Sequence, residues 1–159
     1  SSSSGTALSL NFLVLLYIFL LFAIVLTSCE TTSSDNGELD NMWYLTKVDS
    51  LYSGKTIGYR EKHILWSFQG TLMQTNCVDS VIMGLFYMCR FENKGDQLII
   101  KSPFIYDRVH DDSLLTTNTL HKIRPYGINS LTDTFKIEKL HNDVMILKGN
   151  MLRLYFDKY

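Results

Sequence analysis

Residues 135–159 read FKIEKLHNDVMILKGNMLRLYFDKY, and no other stretch restricts the fold of this chain so tightly. Phe135 and Ile137 alternate with Lys136 and Glu138. The turn signal His141-Asn142-Asp143 follows, and then VMILK. After Gly149-Asn150, Leu152, Leu154 and Phe156 fall on one face, with Arg153 and Asp157 on the other. Alternation with period two places one apolar face of a strand against a core, whereas a helix would need a period near 3.6. The turns between these runs are too short for a crossover connection. The three strands must therefore form an antiparallel meander.

The same pattern recurs upstream. Trp43 and Leu45 alternate with Tyr44 and Thr46, and Ile64, Trp66 and Phe68 alternate with Leu65, Ser67 and Gln69. Leu85–Glu92 puts Leu85, Tyr87, Cys89 and Phe91 on one face, and Asn93-Lys94-Gly95-Asp96 then turns the chain into Leu98-Ile99-Ile100. Strands with turn signals at this spacing predict an all-β antiparallel barrel or sandwich with little helix. Tyr106–Ser130, which holds Pro125 and Gly127, is the least regular region, and we expect Thr119–Ile123 within it to be extended. A structureless loop of that length is uncommon.

The charges divide the chain in two. No Asp, Glu, Lys or Arg precedes Glu30, and Phe12–Leu26 (FLVLLYIFLLFAIVL) is wholly apolar. As a helix that run is about 22 Å long, shorter than a bilayer core of about 30 Å, and it suits the apolar region of a signal peptide. Extended to Leu8–Leu26 it is long enough to span, so a simple membrane anchor is the alternative. The exit Leu26-Thr27-Ser28-Cys29 resembles the lipobox of bacterial lipoproteins, with Leu three before the Cys and a small residue one before it. The resemblance implies cleavage between Ser28 and Cys29, a diacylglycerol on the Cys29 thiol and acylation of the new amine. Several acyl chains anchor stably where one does not. Glu30–Glu38 (ETTSSDNGE) has no large apolar residue and reads as a flexible tether. The expected organisation is a signal peptide over 1–28, a lipidated tether over 29–38 and a β-domain over 39–159.

Leu39-x-Asn41-x-Trp43-x-Leu45 resembles the opening strand of lipocalin-like domains. LWSFQGTLMQ, NKGDQLIIKS and the closing meander are similar to the remainder of that pattern in lipocalin-like lipoproteins of the Bacteroidetes type. Asn41 stands where the family carries Gly, and no C-terminal helix pattern follows the meander. The resemblance covers residues 39–159. It implies an up-and-down barrel of about eight strands and an address at the bacterial cell envelope, on the outer membrane.

A barrel of that size is either filled by its own side chains or holds one small ligand. Two expectations follow. In the first, a small apolar ligand sits in a chamber lined by Trp43, Trp66, Phe68 and Tyr87. In the second, those rings are core, and the domain is an interaction module for an envelope protein partner.

The rest of the chemistry is sparse. Fifteen basic and 16 acidic residues give a net charge of −1, so composition offers no basic face for nucleic acid. A Cys77–Cys89 disulfide depends on register: a wide loop over Val78–Gly84 would let the two face each other, and a tight turn at Asp79-Ser80 would not. His110-Asp111-Asp112 is the densest set of ligand-type residues, but adjacent residues on an extended chain point to opposite sides. No metal site, cofactor or enzyme activity is expected.

Overall fold

The computed structural model describes residues 12–19, 35–78, 86–107 and 109–159. Residues 12–19 are helical, and no helix among the described residues is long and apolar enough to cross a membrane. Ser28 and Cys29, the expected cleavage and lipid-attachment positions, lie outside the described residues. Residues 1–33 and 34–159 separate into two units, and every strand lies in the second.

The strands are β1 (Met42–Ser50), β2 (Thr56–Gly58), β3 (Ile64–Gln69), β4 (Leu72–Cys77), β5 (Phe86–Lys94), β6 (Gln97–Tyr106), β7 (Ser113–Leu114), β8 (Thr132–His141), β9 (Val144–Lys148) and β10 (Leu152–Lys158). All pairings are antiparallel. Around the wall the order is β1-β3-β4-β5-β6-β8-β9-β10, and β10 returns to pair with β1. This is a closed, eight-stranded up-and-down barrel. Closure removes the free edges that an open sheet would expose. β2 shares one edge of β1 with β3, and β7 is a short addition to β6.

Strict alternation breaks at three bulges. In β1 the buried residues are Trp43, Leu45 and then Val48, because the register with β10 shifts between Leu45 and Lys47. In β8 the shift falls between Ile137 and Lys139. The β5–β6 shift accompanies Ser102, whose φ is +51°, and Pro103 follows it. A bulge is where a strand tolerates proline, since the ladder donor is already lost there.

Both ends of the barrel are closed by irregular chain. At one end the short helix η1 (Gly37–Leu39) lies near the β3–β4 and β8–β9 turns. Leu39 is fully buried, and the Trp43 indole donates to its carbonyl at 3.1 Å. Asn36 donates from its side-chain amide to the Gly70 carbonyl at 2.7 Å, and Glu38 sits 3.7 Å from His141. Residues 36–38, expected to be the end of a flexible tether, are thus tied to the barrel by polar contacts that composition does not reveal.

At the other end the connection from β6 to β8 turns inward. Thr119–Ile123, expected to be extended, instead carries the short helix η3 (Leu120–Lys122), which runs into η4 (Arg124–Tyr126). Leu115, Leu120, Ile123 and Ile128 are buried in the barrel core. Gly127 ends η4 at φ +94°, and a Cβ there would lie 3.0 Å from Leu154. Only glycine meets both the left-handed backbone and the close approach.

Candidate functional site

The four aromatic residues expected to line a ligand chamber are core. Trp43 and Trp66 are fully buried, and Phe68 and Tyr87 nearly so. Trp66 lies on β3 and Phe135 on β8, which are diametrically opposed in the eight-stranded wall, yet their ring centroids are 6.0 Å apart and edge-on. Trp66 also meets Phe156 at 4.9 Å and Phe68 at 6.2 Å, and Phe68 meets Phe91 at 5.1 Å. These separations are those of aromatic rings in contact. The Trp66 indole donates to the Tyr126 carbonyl at 2.9 Å, and Tyr87 packs on Tyr126 at 5.3 Å, so the same cluster holds the plug formed by residues 115–128.

The cysteines are not bridged. Cys77 and Cys89 are both free thiols. Met73 pairs with Cys89, and Cys77 lies four residues further along β4. That offset is roughly 14 Å at about 3.4 Å per residue, past the limit of about 7 Å for a disulfide. Cys77 donates to the Lys62 carbonyl at 3.0 Å, and burial pushes the Cys89 thiol up to about 12.

Two polar groups lie among the core residues. The Thr75 hydroxyl is fully buried and has no hydrogen-bond partner among the described residues. The Asp133 carboxylate accepts from the Asn129 amide at 2.7 Å and holds the end of the plug connection. Its burial raises its pKa, against backbone N–H groups of Asn129, Ser130 and Thr134 that lower it. His110 pairs with Asp107 at 2.9 Å, and among the described residues no group of three or more His, Cys, Asp or Glu could hold a metal.

The outer wall carries a built cleft of about 480 Å³, lined by Tyr44, Arg60, His63, Val78, Asp157, Lys158 and Tyr159. None of the aromatics singled out in the sequence lines it. Its assembly follows from closure and one local insertion. Tyr44 faces outward because Trp43 and Leu45 face inward, and β1–β10 pairing sets Asp157 opposite Tyr44. Between β2 and β3 the short helix η2 (Arg60–Lys62) interrupts the edge of β1. His63, at φ +48°, turns the chain back into β3. This lays the Arg60 guanidinium 2.5 Å from Asp157, and the Tyr44 hydroxyl donates to the Arg60 carbonyl. The Tyr44 and His63 rings are 6.0 Å apart. On the adjoining wall the Lys47 ammonium sits 3.6 Å from the centre of the Tyr155 ring, and the Tyr155 hydroxyl donates to Asp49 at 2.7 Å. Hydrogen bonds from Tyr155 and Thr56 hold the Asp49 carboxyl below its ordinary value.

A closed eight-stranded antiparallel barrel with both ends covered defines the class. The chain belongs to the lipocalin-like domain family, which it matches over residues 24–159. Its fold is similar to that of a lipocalin-like protein from Bacteroides uniformis, with 20% identity and a TM-score of 0.56 over 77% of this chain and all of the other. It is also similar to an uncharacterized protein from Bacteroides eggerthii, with 17% identity and a TM-score of 0.54 over 75% of this chain and 98% of the other. At such identities the likeness is one of fold. No curated protein matches the chain.

Proposed function

We propose that this protein is a lipid-anchored lipoprotein of the bacterial envelope whose barrel is a filled scaffold and whose outer wall is the working surface. The observation that carries this reading is the contact between Trp66 and Phe135 across the full width of the barrel. An interior spanned by touching rings is filled at that level, and an eight-stranded barrel is just wide enough for side chains to fill it. The closures at Leu39 and at residues 115–128 support the same reading from the two ends. The anchor rests on the apolar run and on Leu26-Thr27-Ser28-Cys29. The domain is then a tethered interaction module, and a small apolar ligand inside the barrel is not part of the proposal.

Two measurements test the two halves. Native mass spectrometry of the purified protein should give the mass of the acylated chain alone; a stoichiometric apolar passenger contradicts the filled scaffold. Cys29→Ala should abolish labelling by a fatty-acid analogue and leave an uncleaved precursor. A variant that is still labelled and processed contradicts the anchor.

A further inference from the structure

We propose that a notch in the barrel wall at the plug end binds a primary ammonium group on a short apolar stem, the ammonium on the Asp133 carboxylate and the stem against Phe135 and Leu152. This rests on the reading of the barrel as a tethered interaction module and names the chemistry that its ligand brings. The notch exists because β8 outruns its neighbour. β9 pairs with β8 only as far as Lys136, opposite Lys148, and the chain then turns at Gly149. Residues 132–135 keep β6 on one side and have no paired strand on the other. The space left there is about 130 Å³, with Asn129, Ser130, Asp133 and Asn150 in its polar lining and Phe135 and Leu152 in its apolar lining. It is smaller than the roughly 300 Å³ at which sites for drug-sized ligands begin, and it suits a single head group.

Charge and hydrogen bonding select that head group. Asp133 is 6% exposed and is the one charged residue in the lining. Its carboxylate accepts from the Asn129 amide at 2.7 Å but meets no Lys, Arg or His within ion-pair distance among the described residues. A buried carboxylate held only by neutral donors favours a cation that reaches it. Every residue of the lining is described, and neither chain terminus belongs to it. Lys101 and Arg153 are taken by Glu92 and Glu138, and Lys136 and Lys148 are exposed on outward strand positions. The flanking polar groups present acceptors. The Asn129 side-chain amide donates to the Gly127 carbonyl at 3.3 Å, and the Ser130 hydroxyl donates to the Thr132 carbonyl at 2.7 Å. That leaves the Asn129 side-chain carbonyl and the Ser130 oxygen to accept. A primary ammonium has three N–H donors and no acceptor, so it matches these two oxygens and the carboxylate in number and kind.

The test is an NMR titration of the nitrogen-15-labelled full chain with n-butylammonium, n-butanol, butyrate and butyltrimethylammonium. Butylammonium should shift the Asn129, Ser130 and Thr134 amides around the carboxylate, with the other three probes weaker by about tenfold or more. Nα-acetyl-lysine methylamide carries the same head group on a peptide body. If it binds as tightly as butylammonium, the source is a partner's lysine side chain; if only butylammonium binds, the source is a free amine. Asp133→Asn should weaken butylammonium by about tenfold or more, whereas Asp143→Asn, the same charge change at the β8–β9 turn, should not. Asn150→Asp adds a carboxylate on an exposed turn and should tighten butylammonium without changing butanol, which keeps the test decisive if Asp133→Asn does not fold. Four results each overturn the proposal: butylammonium does not bind, butanol or butyltrimethylammonium binds as well, a folded Asp133→Asn binds unchanged, or Asn150→Asp has no effect. The interaction-module reading itself fails in a different experiment, by a passenger found in the barrel, so the two failures are distinguishable.

Discussion

The inside and the outside of this barrel use aromatic residues differently. Inside, Phe68, Phe135 and Phe156 each contact Trp66, and the polar demands of the buried indoles are met by main chain: Trp43 bonds Leu39 and Trp66 bonds Tyr126. Outside, Tyr44 and Tyr155 are set among Lys47, Asp49, Arg60 and Asp157 and bind through hydroxyls and charges. The interior rings are packed core. The exterior rings form surfaces with an apolar face and a polar tip, which suits recognition. On the reading proposed above, selective chemistry is left to the wall.

The contrast is broken most readily by truncating its centre. Trp66→Ala should cost about 3–5 kcal/mol, because the indole is fully buried and both the ring cluster and the plug lean on it. Removing the exposed Arg60–Asp157 pair with Arg60→Ala should cost only about 0.2–1 kcal/mol. Urea unfolding of both variants checks the order, and a reversed order would mean that the wall, not the interior, holds the fold.

A smaller effect sharpens the same contrast. Thr75→Val keeps the shape of the side chain and removes a buried hydroxyl that has no partner, so it should raise stability by about 1 kcal/mol. A loss of stability in the same melt would mean that the hydroxyl bonds something held inside the barrel.

The smallest effect is confined to the surface and is lost in acid. Glu92 is paired with Lys101 and, at 2.9 Å, with Lys94; these contacts lower its carboxyl from 4.5 to about 2. A carboxyl whose folded pKa is depressed stabilises the fold above its unfolded value, and that contribution is lost as pH falls through the folded one. Glu92→Gln should therefore lower the melting temperature slightly at neutral pH, leave it nearly unchanged at pH 2, and flatten the decline between pH 4.5 and pH 2 in acid titrations.

The strands were legible in the sequence because burying one face of a strand forces period two, and Trp43, Trp66, Phe135 and Phe156 all obey it. The bulges at Thr46 and Ser102 were not, since a bulge adds a single residue without a composition of its own. The plug was missed for a related reason. Leu115, Leu120, Ile123 and Ile128 match neither period two nor period 3.6, and they are buried only because the barrel mouth lies beneath them. The free thiols depended on a register that the sequence left open. The cleft was the least legible feature, because Tyr44, Arg60 and Asp157 meet only through barrel closure across 97 residues of chain. What could have pointed to it is the concentration of tyrosine and charge on the outward positions of the first and last strands.

The central claim is that the barrel is closed and filled, and amide hydrogen exchange across the plug tests it most directly. The Ile123, Tyr126 and Gly127 amides donate to Leu120, Ile123 and Arg124 at 3.1, 3.0 and 2.9 Å over a buried face. They should be protected to the same degree as the paired amides of β1 and β10, because opening the plug exposes the core. Exchange at the rate of the exposed stretch 109–112 would show a mouth that opens freely, and would contradict the account.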